Sequence, residues 1–351
     1  MRILLGMSGG IDSTYAAIRL INEGHSVEGA VIIMHRHTEL DAAKAAADSV
    51  GIPLHVIYAE EQFDRCVVDY FVSEYRSGRT PNPCVVCNSD VKFRALYDYA
   101  EQHGFDMIAT GHYAKINEIE SDGSIRYALS CAKDLKKDQT YMLWRLPQHI
   151  LGKLFLPLYN IEKDEVRADA REQGVFAAQR DESQEICFVP SGDYASFIEE
   201  RTEPAKRGNF IDEEGKILGE HQGIIRYTVG QRKGLGIAMG QRVFVTHIDP
   251  VKNTVRLSPS DSHSDWVRIS GMVFSAIKEP VPSTELNLFV KLRYLAPRVP
   301  CVLKYLGNGE GEVALELTVR AVTPGQSAVF YDEKGVLVAG GFIVSSNCKR
   351  G

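Results

Sequence analysis

The sequence predicts an α/β domain with a parallel sheet, then a small β-rich module and a C-terminal antiparallel β-barrel. Two observations support this prediction. In the first half, apolar strand-like runs alternate with helical stretches, which is the pattern of βαβ units. After about residue 201 helical spacing ends, and short alternating runs separated by turn dipeptides such as Asn308-Gly309 replace it. We expect domains at residues 1–190, 191–262 and 263–351.

Each segment is assigned from its apolar spacing and its turn residues. The predicted strands of the first half are Arg2–Leu5, Ser26–Met34, Pro53–Tyr58 and Met107–Thr110, and its predicted helices are Ile11–Glu23, Asp41–Val50, Phe63–Arg76 and Ser89–His103. The predicted strands of the second half include Gly208–Ile211, Ile224–Tyr227, Arg242–Ile248, Thr254–Leu257, Leu286–Tyr294, Val299–Tyr305, Glu312–Val319 and Ala328–Tyr331.

Composition excludes several classes of protein. The 351 residues are 44% hydrophobic and 25% charged, which is ordinary for a globular chain and excludes disorder or coiled coil as the main architecture. The longest apolar runs, such as Gly29–Met34, are far shorter than the roughly 18 residues of a membrane helix. Met1–Leu5 does not resemble a signal peptide, so we expect a cytosolic protein.

The charge distribution gives a weak hint of a basic module. The net charge is −6, yet residues 201–258 hold ten Lys or Arg against six Asp or Glu. The net charge of the whole chain argues weakly against a nucleic-acid binder, but it conceals this local excess of positive charge.

The strongest local motif is the segment Gly6-Met7-Ser8-Gly9-Gly10-Ile11-Asp12-Ser13, between the first strand and the first helix. Glycines there let backbone N–H groups approach phosphates, and the helix N-terminus adds about half a positive charge. Asp12 would repel phosphate, so it suits a Mg²⁺ ion that bridges phosphate oxygens. The segment has neither the dinucleotide fingerprint nor the Gly-Lys-Ser/Thr ending of a Walker loop.

Three of the seven cysteines stand out. Cys84 and Cys87 have C-x-x-C spacing after two prolines, which suits a dithiol or two ligands of one metal. Cys187 lies between Ile186 and Phe188, and such a cysteine is more often part of the core than catalytic. With no secretion signal, a disulfide framework is not expected.

The combined motifs resemble one family, the bacterial tRNA-specific 2-thiouridylases, from residue 3 to about residue 344. The motifs that carry this resemblance are Gly6–Ser13, Asn82–Asn88, Ala109–Ala114, Lys137–Tyr141, Ser183–Phe188, Tyr227–Gly236 and Arg293-Tyr294. It implies an adenine nucleotide hydrolase-like first domain that binds ATP and Mg²⁺. It also implies that sulfur replaces the 2-carbonyl oxygen of the wobble uridine of tRNA, after adenylation of that oxygen and with release of AMP and pyrophosphate.

The resemblance assigns roles to residues that the motifs alone leave open. Gly6–Ser13 would hold ATP, with the adenine near Ile32 and Gly111. Cys87 would be the nucleophile and Cys187 the persulfide carrier, so that a disulfide between thiols can release the sulfur. Many family members have Asp at the position of Cys84. The three thiols Cys84, Cys87 and Cys187 are therefore also candidate ligands of a four-iron four-sulfur cluster.

The same resemblance implies contacts to the tRNA anticodon stem-loop and a separate sulfur donor, either a sulfur-relay protein or a cysteine desulfurase. The flipped base would reach Asn82 and Pro83. The other residues that the resemblance places at tRNA are His112, Lys137, Asp138, Gln139, Arg232, Lys233, Arg293, Tyr294 and Gln326. Without the resemblance, each is more simply a solvated charge or turn residue.

Two other functions remain open at the level of sequence. An ATP-dependent ligase of the same superfamily would not need Cys87 and Cys187. A noncatalytic RNA-binding adaptor would bind tRNA without releasing AMP. The sequence leaves the persulfide and cluster mechanisms, the oligomeric state and the tRNA isoacceptors undecided.

Overall fold

A parallel sheet is at the centre of the N-terminal part of the computed structural model, which describes residues 1–121, 123–172, 186–189, 191–237, 239–347 and 349–350. Its strands lie in the order β3-β2-β1-β4-β7. They are β1 (Arg2–Gly6), β2 (Ser26–Ile33), β3 (Leu54–Tyr58), β4 (Met107–Thr110) and β7 (Leu154–Phe155). The predicted parallel α/β domain is thereby confirmed.

Strand β1 lies between β2 and β4. After β1 the chain adds β2 and β3 on one side of it, and it then adds β4 and β7 on the other side, so the strand order reverses at β1. Gly6 is paired with Ala30 of β2 and with Thr110 of β4. In open parallel sheets, ligands bind beyond the carboxyl ends of the strands where the strand order reverses in this way. The segments after β1 and β4 therefore face the same crevice.

Helices cover this sheet, and π-helical stretches join two pairs of them. They are α1 (Ile11–Asn22), α2 (Leu40–Val50), α3 (Glu60–Phe63), α4 (Asp69–Arg76), α5 (Pro83–Val86), α6 (Phe93–His103), α7 (Thr140–Leu143), α8 (Gln148–Leu151), α9 (Lys163–Glu172) and α10 (Tyr194–Glu199). The π-helical stretches Asp64–Val68 and Cys87–Lys92 join α3 to α4 and α5 to α6. Of the helices in the described part of the chain, none has the length and apolar character needed to cross a membrane.

The basic region forms its own sheet with its own core. Its strands, in the order β10-β11-β8-β9, are β8 (Gly208–Ile211), β9 (Ile217–His221), β10 (Phe244–Asp249) and β11 (Thr254–Ser258). The strand predicted at Ile224–Tyr227 is wrong, because Ile224–Arg226 forms a 3₁₀ turn. Adjacent Ile224 and Ile225 are both buried, one in the core of this module and the other in the core of the α/β domain. A strand would place them on opposite faces of one sheet.

The C-terminal strands close into a six-stranded antiparallel barrel, which confirms the prediction. Strand β15 pairs with β14 on one side and with β12 on the other, and this second pairing closes the sheet. The barrel strands are β12 (Ser262–Phe274), β13 (Glu285–Lys291), β14 (Val299–Gly307), β15 (Glu310–Arg320), β16 (Ser327–Tyr331) and β17 (Leu337–Ser346). The remaining strands are the hairpin β5 (Lys115–Ser121) and β6 (Ser124–Ser130), and β18 (Lys349–Arg350), which pairs with β12. The domain limits given above stay predictions, and residue 190 lies outside the described residues.

The barrel packs against α7 through a buried apolar and polar contact. Trp144 and Tyr141 are fully buried, and Trp144 Nε1 donates to Ser327 Oγ over 3.0 Å. Tyr141 Oη donates to the Ser327 carbonyl over 3.0 Å. The hydroxyl groups of Thr140 and Tyr331 lie 2.9 Å apart. Large buried aromatic side chains contribute much of the energy of such interfaces, so this contact fixes the barrel on the α/β domain.

Replacement of Gly340 tests that contact. A Cβ atom at Gly340 would overlap the indole ring of Trp144. We expect Gly340→Ala to lower the melting temperature by several degrees, because overpacking of a well-packed core costs about 1–3 kcal/mol. Gly219→Ala is the control, since the nearest atom there is the flexible end of Ile237. Equal melting curves for both variants would contradict the tight packing of Gly340.

Candidate nucleotide and thiol site

The segment after β1 folds into a tight turn that is bonded to itself. The Ser8 backbone N–H donates to Ser13 Oγ over 3.3 Å, and Ser13 Oγ donates to the Gly10 carbonyl over 3.0 Å. Gly9 has φ +78°, and a Cβ there would lie 2.6 Å from the backbone of Ala42. Only glycine fits this position, so the turn depends on the close packing of Gly9 against α2 as well as on the hydrogen bonds of Ser13.

Gly111, at the end of β4, is pressed against the start of α1. A Cβ on Gly111 would lie 2.7–2.9 Å from backbone atoms of Asp12 and Ser13. Ile32 lies near the carboxyl end of β2, and its side chain is buried. The nucleotide residues predicted from three separate segments thus lie at the same edge of the sheet.

Asp12 is bonded to two residues that sequence analysis did not select. Lys163 Nζ lies 2.6 Å from both carboxylate oxygens, and Tyr113 Oη donates to Asp12 Oδ1 over 2.7 Å. Lys163 is only 2% exposed, while the Asp12 side chain keeps 32% of its surface exposed. Tyr113 belongs to the motif Ala109–Ala114, but sequence analysis assigned it no role of its own. Lys163 had no sequence signal, because a single lysine before a helix is common.

Cys84 and Cys87 lie on a helix rather than in a loop. The helix begins at Pro83, six residues before the predicted start at Ser89, since proline suits the first helical position. Asn82 precedes it as an extended residue, and its side-chain amide lies 3.4 Å from the sulfur of Met142. The π-helical stretch starts at Cys87, and single π turns within helices are common at functional sites.

The structure brings the three selected cysteines within electrostatic range of one another. Cys87 is buried and interacts with both Cys84 and Cys187, which are exposed. Its Sγ atom lies 3.7 Å from Met34 Sδ at the end of β2. Phe188 is buried between Phe63 and Phe71, and it anchors the segment that carries Cys187. The preceding motif residues Ser183, Gln184 and Glu185 lie outside the described residues.

The protonation state of Cys87 is set by burial and by one cation. Burial raises the pKa of the Cys87 thiol to about 12, and the Lys92 ammonium counteracts part of this rise. Desolvation also raises the thiol pKa of Cys84 and Cys187, again with Lys92 opposing it. Lys92 ends the π-helical stretch, where its Nζ donates to Asn88 Oδ1 over 3.2 Å. Lys92 is the third residue here, after Lys163 and Tyr113, to which sequence analysis gave no role.

His112 lies between the phosphate loop (Gly6–Ser13) and the helical segment Pro83–Lys92 that carries Cys84 and Cys87, here called the thiol helix. Its Nδ1 is 2.9 Å from Thr110 Oγ1, and its ring contacts Phe93 at the start of α6. Burial lowers the pKa of His112 to about 3, so the imidazole is neutral at pH 7. A neutral imidazole here can donate or accept one hydrogen bond without adding charge.

The residues predicted to contact tRNA differ in accessibility. Arg232 and Lys233 are exposed on the turn after Gly230. Asp138 is only 5% exposed and accepts from Thr140 Oγ1 over 2.7 Å. Gln139 Oε1 accepts from the Tyr113 backbone over 2.9 Å, whereas Lys137 is half-buried beside it. In this structure Asp138 and Gln139 hold the segment in place.

Arg293 and Gln326 also bond within the protein. Arg293 donates to the Ala321 carbonyl over 2.7 Å and to the Val229 carbonyl over 3.3 Å, which ties the barrel to the middle module. Gln326 Nε2 donates to the Thr80 carbonyl over 2.9 Å. Tyr294 lies with its ring 6.0 Å from that of Tyr141. Contact of these three residues with RNA stays a prediction.

Candidate metal positions are limited. Among the described residues, no group of three His, Cys, Asp or Glu side chains is arranged to hold a metal ion. Asp12 is one carboxylate beside a phosphate-type turn, which fits a Mg²⁺ ion bound mainly by phosphate oxygens.

Fold and site together describe a multidomain α/β protein with a glycine-rich turn after its first strand and a group of three cysteines. Three family models match the chain: "tRNA methyl transferase HUP domain" at residues 1–191, "tRNA methyl transferase PRC-barrel domain" at 195–259 and "Aminomethyltransferase beta-barrel domain" at 264–343. Curated relatives match almost end to end. The tRNA-specific 2-thiouridylase MnmA of Acetivibrio thermocellus is 41% identical over 98% of this chain and 99% of its own length.

A second relative agrees. The tRNA-specific 2-thiouridylase MnmA of Geotalea uraniireducens is 42% identical over 97% of this chain and 94% of its own length. The chain belongs to the tRNA-specific 2-thiouridylase family. Solved structures are more distant: a 4-thiouridine synthetase–RNA complex with bound ATP is 18% identical, with a TM-score of 0.35 over 57% of this chain and 50% of that chain. A likeness that weak has no bearing on function.

The state of Cys87 gives a prediction for its reactivity. Because only the thiolate reacts and the pKa is about 12, the rate of Cys87 alkylation by iodoacetamide should rise steadily from pH 7 to pH 10 without a plateau. Lys92→Met should slow the reaction at every pH, since it removes the cation that lowers this pKa. Rates are measured by peptide mass spectrometry.

Lys252→Met is the matched control, because Lys252 is an exposed lysine on the middle module, where it forms an ion pair with Asp249. In this variant, Cys87 should be alkylated at the same rate as in the unmodified chain at every pH. A plateau in the rate below pH 9 would contradict the burial of the Cys87 thiol.

Proposed function

We propose that this chain catalyses ATP-dependent thiolation of tRNA at the 2-position of the wobble uridine, as a tRNA-uridine 2-sulfurtransferase. The observation that carries the proposal is membership of the 2-thiouridylase family over nearly the whole chain. The geometry supports it, because a phosphate-type loop and a group of thiols lie at one edge of the sheet. A ligase without sulfur chemistry would have no use for this thiol group.

ATP would bind at Gly6–Ser13, with its adenine near Ile32 and Gly111. The support is the closeness of those segments, because Gly111 lies directly against the backbone of Asp12 and Ser13. Mg²⁺, when bound with ATP, would supply charge neutralisation for the phosphates. The loop itself offers backbone N–H groups and serine hydroxyls, and it orients the α-phosphate toward the uridine oxygen.

Sulfur would be transferred from Cys187 with Cys87 as the second thiol. The outer sulfur of a Cys187 persulfide attacks C2 of the adenylated uridine, and the C2–O bond breaks as AMP leaves with the oxygen. The Cys87 thiolate then attacks the Cys187 sulfur. The bond to the transferred sulfur breaks, the product keeps the electron pair, and a Cys87–Cys187 disulfide forms. A thiol reductant restores both cysteines.

The persulfide version is favoured over the cluster version by the described geometry. The exposed Cys187 is accessible to a protein donor of sulfur, while Cys87 is buried beside it. That donor would be a sulfur-relay protein or a cysteine desulfurase. We also propose the domain limits 1–190, 191–262 and 263–351, which agree with the ranges of the matched models, and a cytosolic location.

Three cysteine variants test the chemistry. Cys87→Ser and Cys187→Ser should each abolish thiolated tRNA, because a hydroxyl is a far weaker nucleophile than a thiolate, yet both should still bind ATP. Cys84→Asp should keep substantial activity, since this exposed residue lies in the first helical turn, where a carboxylate is well tolerated. Product is measured by mass spectrometry of a tRNA transcript supplied with a persulfide donor.

Iron and sulfide analysis of anaerobically prepared protein is the companion measurement. If a cluster were the sulfur source, Cys84→Asp would lose iron, visible absorbance and activity together. Thiolation by Cys187→Ser at the rate of the unmodified chain would defeat both versions.

The exposed pair Arg232 and Lys233 should contribute to tRNA binding. We expect Arg232→Ala with Lys233→Ala to weaken binding and to reduce the slope of log K against log salt by about one unit per lost phosphate contact. The control is Lys44→Ala with Lys334→Ala, which removes two exposed lysines elsewhere. A slope equal to that of the unmodified chain would show that Arg232 and Lys233 face solvent in the complex.

A further inference from the structure

Lys163 is a buried cation at the mouth of the phosphate loop. It is the first residue of α9, and its backbone N–H donates to the Asp134 carboxylate over 3.2 Å. Its Nζ lies 2.6 Å from both oxygens of Asp12 and 5.8 Å from the centre of the Tyr113 ring. The lysine is thus held at its backbone and at its ammonium group.

Burial of an ammonium group is costly unless a nearby anion compensates for the lost hydration. Asp12 supplies that anion, but Asp12 is itself the acidic residue of the phosphate loop. Its side chain is 32% exposed, in contrast to 3% for that of Lys163, so the pair opens toward the loop through Asp12. A triphosphate that enters the loop therefore approaches both members of this pair.

We propose that Lys163 is a direct ligand of an ATP phosphate. While the site is empty, Asp12 holds the Lys163 ammonium in place at the loop. This inference rests on the proposed use of ATP by the chain. The ammonium has three donors, so it can bond to a phosphate oxygen and still contact the carboxylate. It also cancels the charge of Asp12, which would otherwise repel the triphosphate.

Two simpler roles for Lys163 make different predictions. It could serve only as a tie between α1 and α9, which are also joined by a 2.6 Å hydrogen bond from Tyr15 Oη to Asp169. It could also serve only to neutralise Asp12. Asp169→Asn is the matched control for the first role, because it weakens a tie between the same two helices without touching the loop.

The experiment measures ATP affinity by titration calorimetry, without tRNA or a sulfur donor. With Mg²⁺ present, Lys163→Met should bind ATP at least tenfold more weakly than the unmodified chain, as expected for loss of one charged hydrogen bond. Asp169→Asn should bind within about twofold of the unmodified chain. A similar loss in both variants would overturn the proposal in favour of a helix tie.

A pair of variants without the Asp12 charge separates direct contact from neutralisation. In EDTA, Asp12→Asn should bind ATP at least tenfold more tightly than Asp12→Asn with Lys163→Met, because only the former keeps the ammonium. Equal affinities would overturn the proposal, since a lysine that merely neutralises Asp12 has no role once that charge is gone. The double variant leaves no buried charge unpaired, so it remains informative if Lys163→Met alone does not fold.

Failure of the proposed function would look different. If the unmodified chain binds ATP with the expected dependence on Lys163 but neither thiolates tRNA nor releases AMP, the thiolation proposal is wrong and the assignment of Lys163 stands.

Discussion

The close approach of Gly111 to the backbone of Asp12 is the constraint on which the site depends. No side chain fits between them, so the end of β4 lies directly on the start of α1. Two residues after Gly111, Tyr113 reaches back to the Asp12 carboxylate, and its backbone bonds with Gln139. One residue after Gly111, His112 turns toward Phe93 and the thiol helix. This contact therefore ties the phosphate loop to the segment that continues toward the helix of the cysteines.

Electrostatic balance distinguishes the two halves of this site. At the phosphate loop, the buried ammonium of Lys163 is paired with the Asp12 carboxylate, so the two charges cancel. At the thiols, burial favours the neutral form, and Lys92 is the cation that acts on all three cysteines in the described part of the chain.

Much of the fold could be predicted from the sequence because its signals are local. A βα unit is specified within about twenty residues, by the apolar run Arg2–Leu5, the glycine turn after it and the helix that begins at Ile11. The barrel was also predictable as a class, although its longest strand, Ser262–Phe274, was not, since the polar residues Ser264 and Asp265 interrupt its alternation. The Ile224–Tyr227 error has a similar origin: two adjacent isoleucines fill two different cores, which no single-period pattern represents.

The site was predictable only where motifs carry it, and its long-range partners were not. Lys163 reaches Asp12 across 151 residues, and no local pattern marks such a pair.

Thr80, just before the proline–cysteine segment, also has partners far away in the sequence. Its backbone N–H donates to the Pro324 carbonyl over 2.9 Å, and its own carbonyl accepts from Gln326. Its hydroxyl donates to Thr228 Oγ1 over 3.0 Å. The segment that leads into the thiol helix is therefore fixed by the barrel and the middle module as well as by its own domain. This explains why residues such as Gln326, far from the cysteines in sequence, bear on the position of the thiol helix. An isolated α/β domain would contain Cys84, Cys87, Cys187 and the whole phosphate loop, yet it would lack the three hydrogen bonds that hold Thr80.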